Sequence, residues 1–365
     1  MDLSYGAEYE AFRDEFATFL EAHKADAPKN PKLKSREAID WQKTLIDAGY
    51  FARTIPAEFG GYGAQPDILK SRIIAEEFAR TRTHPGMGGQ GISMLVPTLL
   101  EVGTQAQKET FIRPTLAGEM IWCQGYSEPG AGSDLAALRT SAVLDGDEWV
   151  INGQKIWTSN AQEADMMFAL IRTEPDKAKH DGITYFLIDM KTPGIDVRPL
   201  RQMTGEADFN EEFFENVRVP KASLVGERGN GWKFSRSTLK HERALIGNAS
   251  LARRTFDGLV AMAQIIEVGG RRKIDDPVIR DRVCSIEADL LAAEYNGFRL
   301  LTLGEKNEDA GLAGMVPKLH STNVVYTVTQ LAMDILDDHG LFAPGEMKAP
   351  DMGGLSTAYM WYWGM

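Results

Sequence analysis

Residues 122–134 read Trp122-Cys123-Gln124-Gly125-Tyr126-Ser127-Glu128-Pro129-Gly130-Ala131-Gly132-Ser133-Asp134, and residues 152–160 read Asn152-Gly153-Gln154-Lys155-Ile156-Trp157-Thr158-Ser159-Asn160. An apolar, strand-like start running into small residues makes a turn where backbone N–H groups can approach a ligand closely. Hydroxyls then stand beside bare backbone. Such a surface suits a large, flat, many-acceptor ligand of the isoalloxazine kind, which needs scattered donors along one edge and an aromatic wall against one face. Ser127, Thr158 and Ser159 are candidate donors and Trp157 a candidate wall. Glycines and serines alone serve ordinary turns between strands equally well, so the weight rests on the ordered pair of segments.

The elements that must hold these segments follow from periodicity. Apolar residues recur at helical spacing over 8–22, where Phe12, Phe16, Phe19 and Leu20 line up, and over 35–48, around Trp41 and Leu45. Further helices are predicted over 66–80, over the small, methionine-bearing stretch 86–103, and over 105–117. From 121 to 225 the period shifts toward two, with strands predicted at 140–143, 148–151, 166–171, 183–188 and 212–214. Asp145-Gly146 predicts a hairpin, and the unbroken apolar run Met166–Ile171 predicts burial on both faces of a small barrel or sandwich. Long helices are predicted again at 232–263, 278–303 and 318–336. The expected order is an N-terminal helical domain (1–120), a middle antiparallel β domain (121–230) and a C-terminal helical domain (231–365), an α+β fold.

Composition narrows the function. With 365 residues, 43% hydrophobic and 25% charged, the chain reads as an ordinary globular protein. A net charge of −12 argues against a nucleic-acid partner. The one dense basic run, Arg271-Arg272-Lys273, reads as a solvated loop rather than a site for a phosphate. Two distant cysteines, Cys123 and Cys284, point to neither a disulfide framework nor a metal site. No stretch reads as a signal peptide or a membrane span, and the expected location is the cytoplasm.

The two segments together resemble the acyl-CoA dehydrogenase family of flavoproteins, FadE-like bacterial members included. Ser-Glu-Pro-x-Ala-Gly-Ser-Asp and Asn-Gly-x-Lys-x-Trp-x-Ser-Asn occur there in this order. The likeness continues through Glu215-Asn216-Val217-Arg218-Val219-Pro220, Val225-Gly226-Glu227 and Gly229-Asn230-Gly231-Trp232, covering most of 1–338. It implies the acyl-CoA dehydrogenase fold, FAD as cofactor, an acyl-CoA substrate and an electron-transfer flavoprotein as acceptor. It also implies that Gln124, Gly125, Tyr126, Ser127, Gly132 and Ser133 line the flavin's pyrimidine side and ribityl chain. By the same likeness Ser159 lies near the flavin N5, Trp157 stacks on the ring, and Ser133 and Arg243 flank the acyl-CoA.

Removing an α-proton and a β-hydride from a thioester requires a base and a hydride acceptor, and no side chain accepts a hydride. No Gly-x-Gly-x-x-Gly follows a strand; Gly226-x-x-Gly229-x-Gly231 has the wrong spacing, which favours flavin over a nicotinamide. For the base, Glu242 falls with Trp232, Ser235, Leu239 and Ile246 on one stripe of its helix, where burial would raise a carboxyl toward working pH. The isovaleryl-CoA type of the family carries its catalytic glutamate in this helix within a Glu-Arg pair, here Glu242-Arg243. Most members carry it instead before a C-terminal Gly-Thr-Ser-Glu-like motif, which is not met before Met365. The segments around Arg271–Ile274 and Asp334–Gly340 also depart from the family pattern. Because they embrace a neighbour's cofactor in the family, the departures imply a mixed oligomer with a related subunit as the alternative to a homo-oligomer. A flavin-poor subunit without turnover and a same-fold oxidase or monooxygenase are the other readings.

Overall fold

A computed structural model describes residues 5–246, 249–306, 308–337, 340 and 354–362, with the side chains of 240–251, 305, 355, 356 and 362 excepted. The chain parts into two compact units, 1–200 with 207–242, and 201–206 with 243–365.

The first unit opens with α1 (Ala7–Ala22), α2 (Arg36–Asp47) and α3 (Ile68–Thr81). Ser35 and Asp67 cap α2 and α3 by accepting the backbone N–H of Ala38 and Lys70. Phe16, Leu20, Trp41, Leu45, Tyr50 and Phe78 pack among these helices, so the apolar stripes read from the sequence become one core cluster. α4 (Val96–Val102) follows a π-helical stretch, Gly91–Leu95, and α5 (Gln105–Leu116) starts at a Thr104/Gln107 capping box.

The helix expected from residue 86 begins only at about Gly91. Buried Gln42 explains the difference: its Oε1 accepts the Met87 N–H at 2.7 Å and its Nε2 donates to the Leu116 carbonyl at 2.9 Å. With that N–H taken by a side chain of α2, residues 84–89 run as a loop.

The β region forms one eight-stranded sheet. Its strands are β1 (Trp122–Gly125), β2 (Ser141–Asp145), β3 (Glu148–Ser159), β4 (Met166–Arg172), β5 (Ile183–Asp189), β6 (Ile195–Leu200), β7 (Phe209–Pro220) and β8 (Leu224–Val225), in the order β6-β7-β3-β2-β4-β5-β8 with β1 added on β4. The Asp145-Gly146 hairpin pairs β2 and β3 as read. The expectation of an antiparallel domain needs one correction: β1 runs parallel to β4, and β2 meets β4 in parallel at Ser141 and Arg172. A connection through 126–140 carries the chain back before β2 starts, which permits the parallel pairing.

β4 and β5 are buried on both faces. Phe168, Leu170, Tyr185 and Leu187 join a cluster with Leu95, Leu99 and Ile112 of the helical segment. Met167, Ala169, Ile171, Phe186 and Ile188 join Trp149, Ile151 and Val217 across the other face. The N-terminal helices and the sheet therefore share a core.

α6 (Gly231–Ile246) follows, and the division between the units falls within it, after Glu242. In place of one helix over 232–263, the second unit resumes with α7 (Ala249–Ile265). The small hairpin β9 (Glu267–Val268) and β10 (Arg271–Arg272), then α8 (Pro277–Glu305), α9 (Val316–Leu336) and α10 (Gly354–Tyr362) complete it. Phe256, Leu259, Ile286, Leu290, Val328 and Leu331 form its core. Arg271 and Arg272 are exposed as expected, but in place of a loop they form β10, and Lys273 begins a 3₁₀ turn; Arg272 pairs with Asp275 at 2.9 Å. Among the described residues no helix is long and apolar enough to cross a membrane.

Candidate active site

The two motif segments meet at the end of β3, where the Ile156 N–H donates to the Ser127 carbonyl at 2.9 Å. Several of the motif residues work inward. Lys155 is fully buried, and its Nζ donates to the Tyr126 carbonyl at 3.0 Å, the Leu170 carbonyl at 2.7 Å and Glu128 Oε1 at 2.9 Å. All three ammonium protons are thus satisfied. Glu128 also accepts the backbone N–H groups of Arg139 and Thr140, and its own backbone closes a tight loop with Ala131 in both directions.

Burial pulls Lys155 below the usual lysine range against the attraction of Glu128. Burial pushes Glu128 up, but the Lys155 charge and the Arg139 N–H hold it below the usual carboxylate range. The pair shapes the loop 126–131.

Asn152 accepts the Asn216 N–H at 2.8 Å, tying the start of the second motif to the Glu-Asn-Val-Arg-Val-Pro segment. At Gly153, φ is +148° and a Cβ would stand 2.6 Å from the Thr140 backbone. Only glycine lets Thr140 reach Gln154, whose carbonyl accepts from its hydroxyl.

Beyond Lys155 the strand breaks its alternation. Trp149, Ile151 and Lys155 point inward, so strict period two would bury Trp157 as well. Instead Trp157 is the extra residue of a β-bulge, between the pairs Ile156–Glu211 and Thr158–Asn210. Its φ is +63°, a costly conformation for a bulky side chain, and its indole is 60% exposed beside Phe209.

The bulge turns Thr158 inward. Its hydroxyl donates to Glu212 Oε2 at 2.6 Å inside the sheet. The expectation of a ligand donor at Thr158 is corrected on this point, since its hydroxyl is already used on the interior face.

The other expected ligand residues divide in the same way. Gln124 lies half-buried and accepts from Gln90 Nε2 at 3.3 Å. Ser127 and Ser159 are half-buried, and Gly132 and Ser133 are exposed at the loop tip. Gly125 faces the interior, where a Cβ would stand 2.3 Å from Met167 Sδ. The Tyr126 ring is buried edge-on against Phe168 and Tyr185. At these two residues only the backbone is left to face a ligand.

Met94 is core, while Met87 lines a small pocket with Gly88, Gly89 and Trp122. The side chains of Glu242 and Arg243 lie outside the described residues. Position 242 is one helical turn beyond Thr238, which is fully buried and bonded to Thr98 at 2.9 Å.

Glu212 escaped the reading of the sequence, as did the burial of Lys155. The available signal was a charged residue at an inward register of a strand. Burial pushes the Glu212 carboxyl up to about 7, opposed by the Thr158 hydroxyl and the Lys155 charge. Between about 4.5 and about 7 the folded chain therefore binds the proton that the unfolded chain has lost. Stability then falls as pH rises through this window and is level above it, by about 3 kcal/mol from this group. Glu212→Gln is expected to remove that slope. Urea titrations at pH 5 and pH 8 should show the variant gaining on the parent only at pH 8; an equal difference at both would refute it.

The exposed Trp157 indole on its strained bulge, the half-buried Ser127, Ser159 and Gln124 and the exposed loop tip at Gly132 and Ser133 are groups of the kind a planar, hydrogen-bonding cofactor would need. This donor set fits a flavin. The chain belongs to the acyl-CoA dehydrogenase family, a family of flavoprotein oxidoreductases. Profiles of its N-terminal, middle and C-terminal domains match residues 6–119, 123–217 and 229–362.

Acyl-CoA dehydrogenase IpdE1 of Mycobacterium tuberculosis is 37% identical over 309 residues, covering 83% of this chain and 77% of the relative. Acyl-CoA dehydrogenase FadE34 of the same organism is 38% identical over 300 residues, 82% of this chain, but the match spans only 41% of that longer protein. Among solved structures, the Tcur3481-Tcur3483 steroid ACAD aligns with a TM-score of 0.82 at 27% identity, over 100% of this chain and 94% of that one. The ChsE4-ChsE5 complex from Mycobacterium tuberculosis aligns at 0.80 and 28%, over 100% and 93%.

Proposed function

We propose that the chain binds FAD and catalyses α,β-dehydrogenation of an acyl-CoA to a trans-2-enoyl-CoA, with Glu242 as the base. The observation that carries this reading is the outward indole of Trp157, held at positive φ next to Ile156, whose N–H bonds the Ser127 carbonyl. Bound FAD would supply the hydride acceptor.

Trp157 would wall the ring. Ser127, Ser159 and Gln124 would bond its polar edge, and the loop 130–133 would admit the ribityl chain. Thr158 and Tyr126 would act through their backbone or through packing. Ser133 and Arg243 would flank the thioester. Glu242 would take the α-proton; its helical register continues the buried face that carries Ser235 and Thr238.

A steroid-type or other bulky acyl group, and assembly with a related subunit, are the substrate and oligomer favoured by the likeness to the steroid ACAD and the two-protein ChsE4-ChsE5 complex. An electron-transfer flavoprotein in the cytoplasm would take the electrons onward.

The test is the visible spectrum of the purified chain before and after anaerobic addition of straight, branched and steroid-type acyl-CoAs. A yellow protein bleached by one class is the expected result. A colourless protein, or one that no thioester bleaches, would overturn a self-sufficient enzyme and favour a subunit that needs its partner.

A further inference from the structure

Two inward positions of β7, Asn210 and Glu212, carry polar side chains that are fully buried at the sheet end where β3 bulges. The next inward residues of the same strand, Phe214, Val217 and Val219, are apolar, as are Met167, Phe186 and Ile188 across the cluster. A carboxyl and an amide among such neighbours are costly unless they hold something in place.

Both engage one residue. Glu212 Oε2 accepts the Thr158 hydroxyl at 2.6 Å, and Asn210 Nδ2 donates to the Thr158 carbonyl at 3.0 Å. Among the described residues, Glu212 Oε1 and Asn210 Oδ1 have no hydrogen-bond partner, so the direct bonds these side chains make here converge on Thr158. Thr158 is the residue next to Trp157. If it turned outward, the strand would regain its alternation and Trp157 would turn in, onto the face of Lys155.

We propose that Glu212, assisted by Asn210, is a positioning residue: by holding the Thr158 hydroxyl inside the sheet it locks the bulge that presents the Trp157 indole to the outside. The presentation of Trp157 does not depend on what the indole packs against. Only the cofactor measurement below rests on the flavin reading.

The experiment isolates Trp157 by subtracting, for each protein, the fluorescence of the same full-length background carrying Trp157→Phe. Glu212→Leu and Thr158→Val are expected to shift this difference emission to the blue and to lower its acrylamide quenching about twofold, as an exposed indole turns inward. Glu212→Gln, which keeps an acceptor for Thr158, should preserve the parent's emission and quenching. The double variant Glu212→Leu/Thr158→Val should move the signal no further than either change alone.

FAD titration should show about tenfold weaker binding in the two disrupting variants and parental binding in Glu212→Gln. Emission and quenching unchanged in folded Glu212→Leu and Thr158→Val, or Glu212→Gln behaving like Glu212→Leu, would overturn the proposal. If Glu212→Leu does not fold, Thr158→Val decides alone. Failure of the parent itself to bind FAD would count against the flavin reading, while the Trp157 emission would still decide this one.

Discussion

Glu242→Gln is expected to slow flavin reduction by a saturating acyl-CoA by about a thousandfold, with thermal stability and flavin content retained. The amide keeps the shape of the carboxylate and cannot take a proton, and general-base catalysis is typically worth ~10²–10⁴-fold. Stopped-flow bleaching of the yellow protein measures the rate. Exchange of the substrate α-hydrogen in D₂O measures proton abstraction apart from electron transfer. Both should be lost together. Retention of either within tenfold of the parent would remove Glu242 from the role and return the search to another carboxylate. The prediction rests on helical register: Ser235 and Thr238 are fully buried on α6, and 242 continues their face one turn on.

Lys155→Met is expected to cost about 3–5 kcal/mol, the usual loss when one partner of a buried ion pair is removed. Against a domain stability of ~5–15 kcal/mol that is enough to unfold much of the protein at growth temperature. Three acceptors lose their donor at once: the carbonyls of Tyr126 and Leu170, and Glu128. Glu128 would be left ionised with only the Arg139 and Thr140 amides to hold it. Urea unfolding of the full chain gives the loss.

The double variant Lys155→Met/Glu128→Gln should recover part of it, because the glutamine still accepts those amides and carries no charge. Full stability in Lys155→Met alone would show that the loop 126–131 does not depend on the ammonium.

Both predictions fall on motif residues, and they differ in what the sequence told about them. Glu242 reads from the sequence as a carboxylate on a largely apolar stripe of its helix. Lys155 stood in the quoted motif with no role, because a lysine in a strand reads as solvent-facing until the strand's neighbours are known. Asn152 and Gly153 were legible as motif and not as structure. Asn152 holds the Asn216 backbone 64 residues away, and Gly153 admits Thr140. Part of what makes the segment recognisable thus builds the sheet, while Trp157 is exposed and Ser159 half-buried at the end of the strand.

The sequence by itself determined what depends on neighbours a few residues apart. It set the order of helices, strands and helices, the hairpin at Asp145-Gly146, the two-sided burial of Met166–Ile171, and the family through its spaced motifs. Tertiary structure alone decided which face each residue took once the alternation broke. Strict period two sends Trp157 inward and Thr158 outward; a bulge set by Asn210 and Glu212, more than fifty positions downstream, reverses both. In the same way Gln42 of one helix takes the backbone of Met87 and keeps a glycine-rich stretch from becoming helical. Side-chain period is local, but a single bond from a distant strand or helix outweighs it when the partner is buried and has nowhere else to bond.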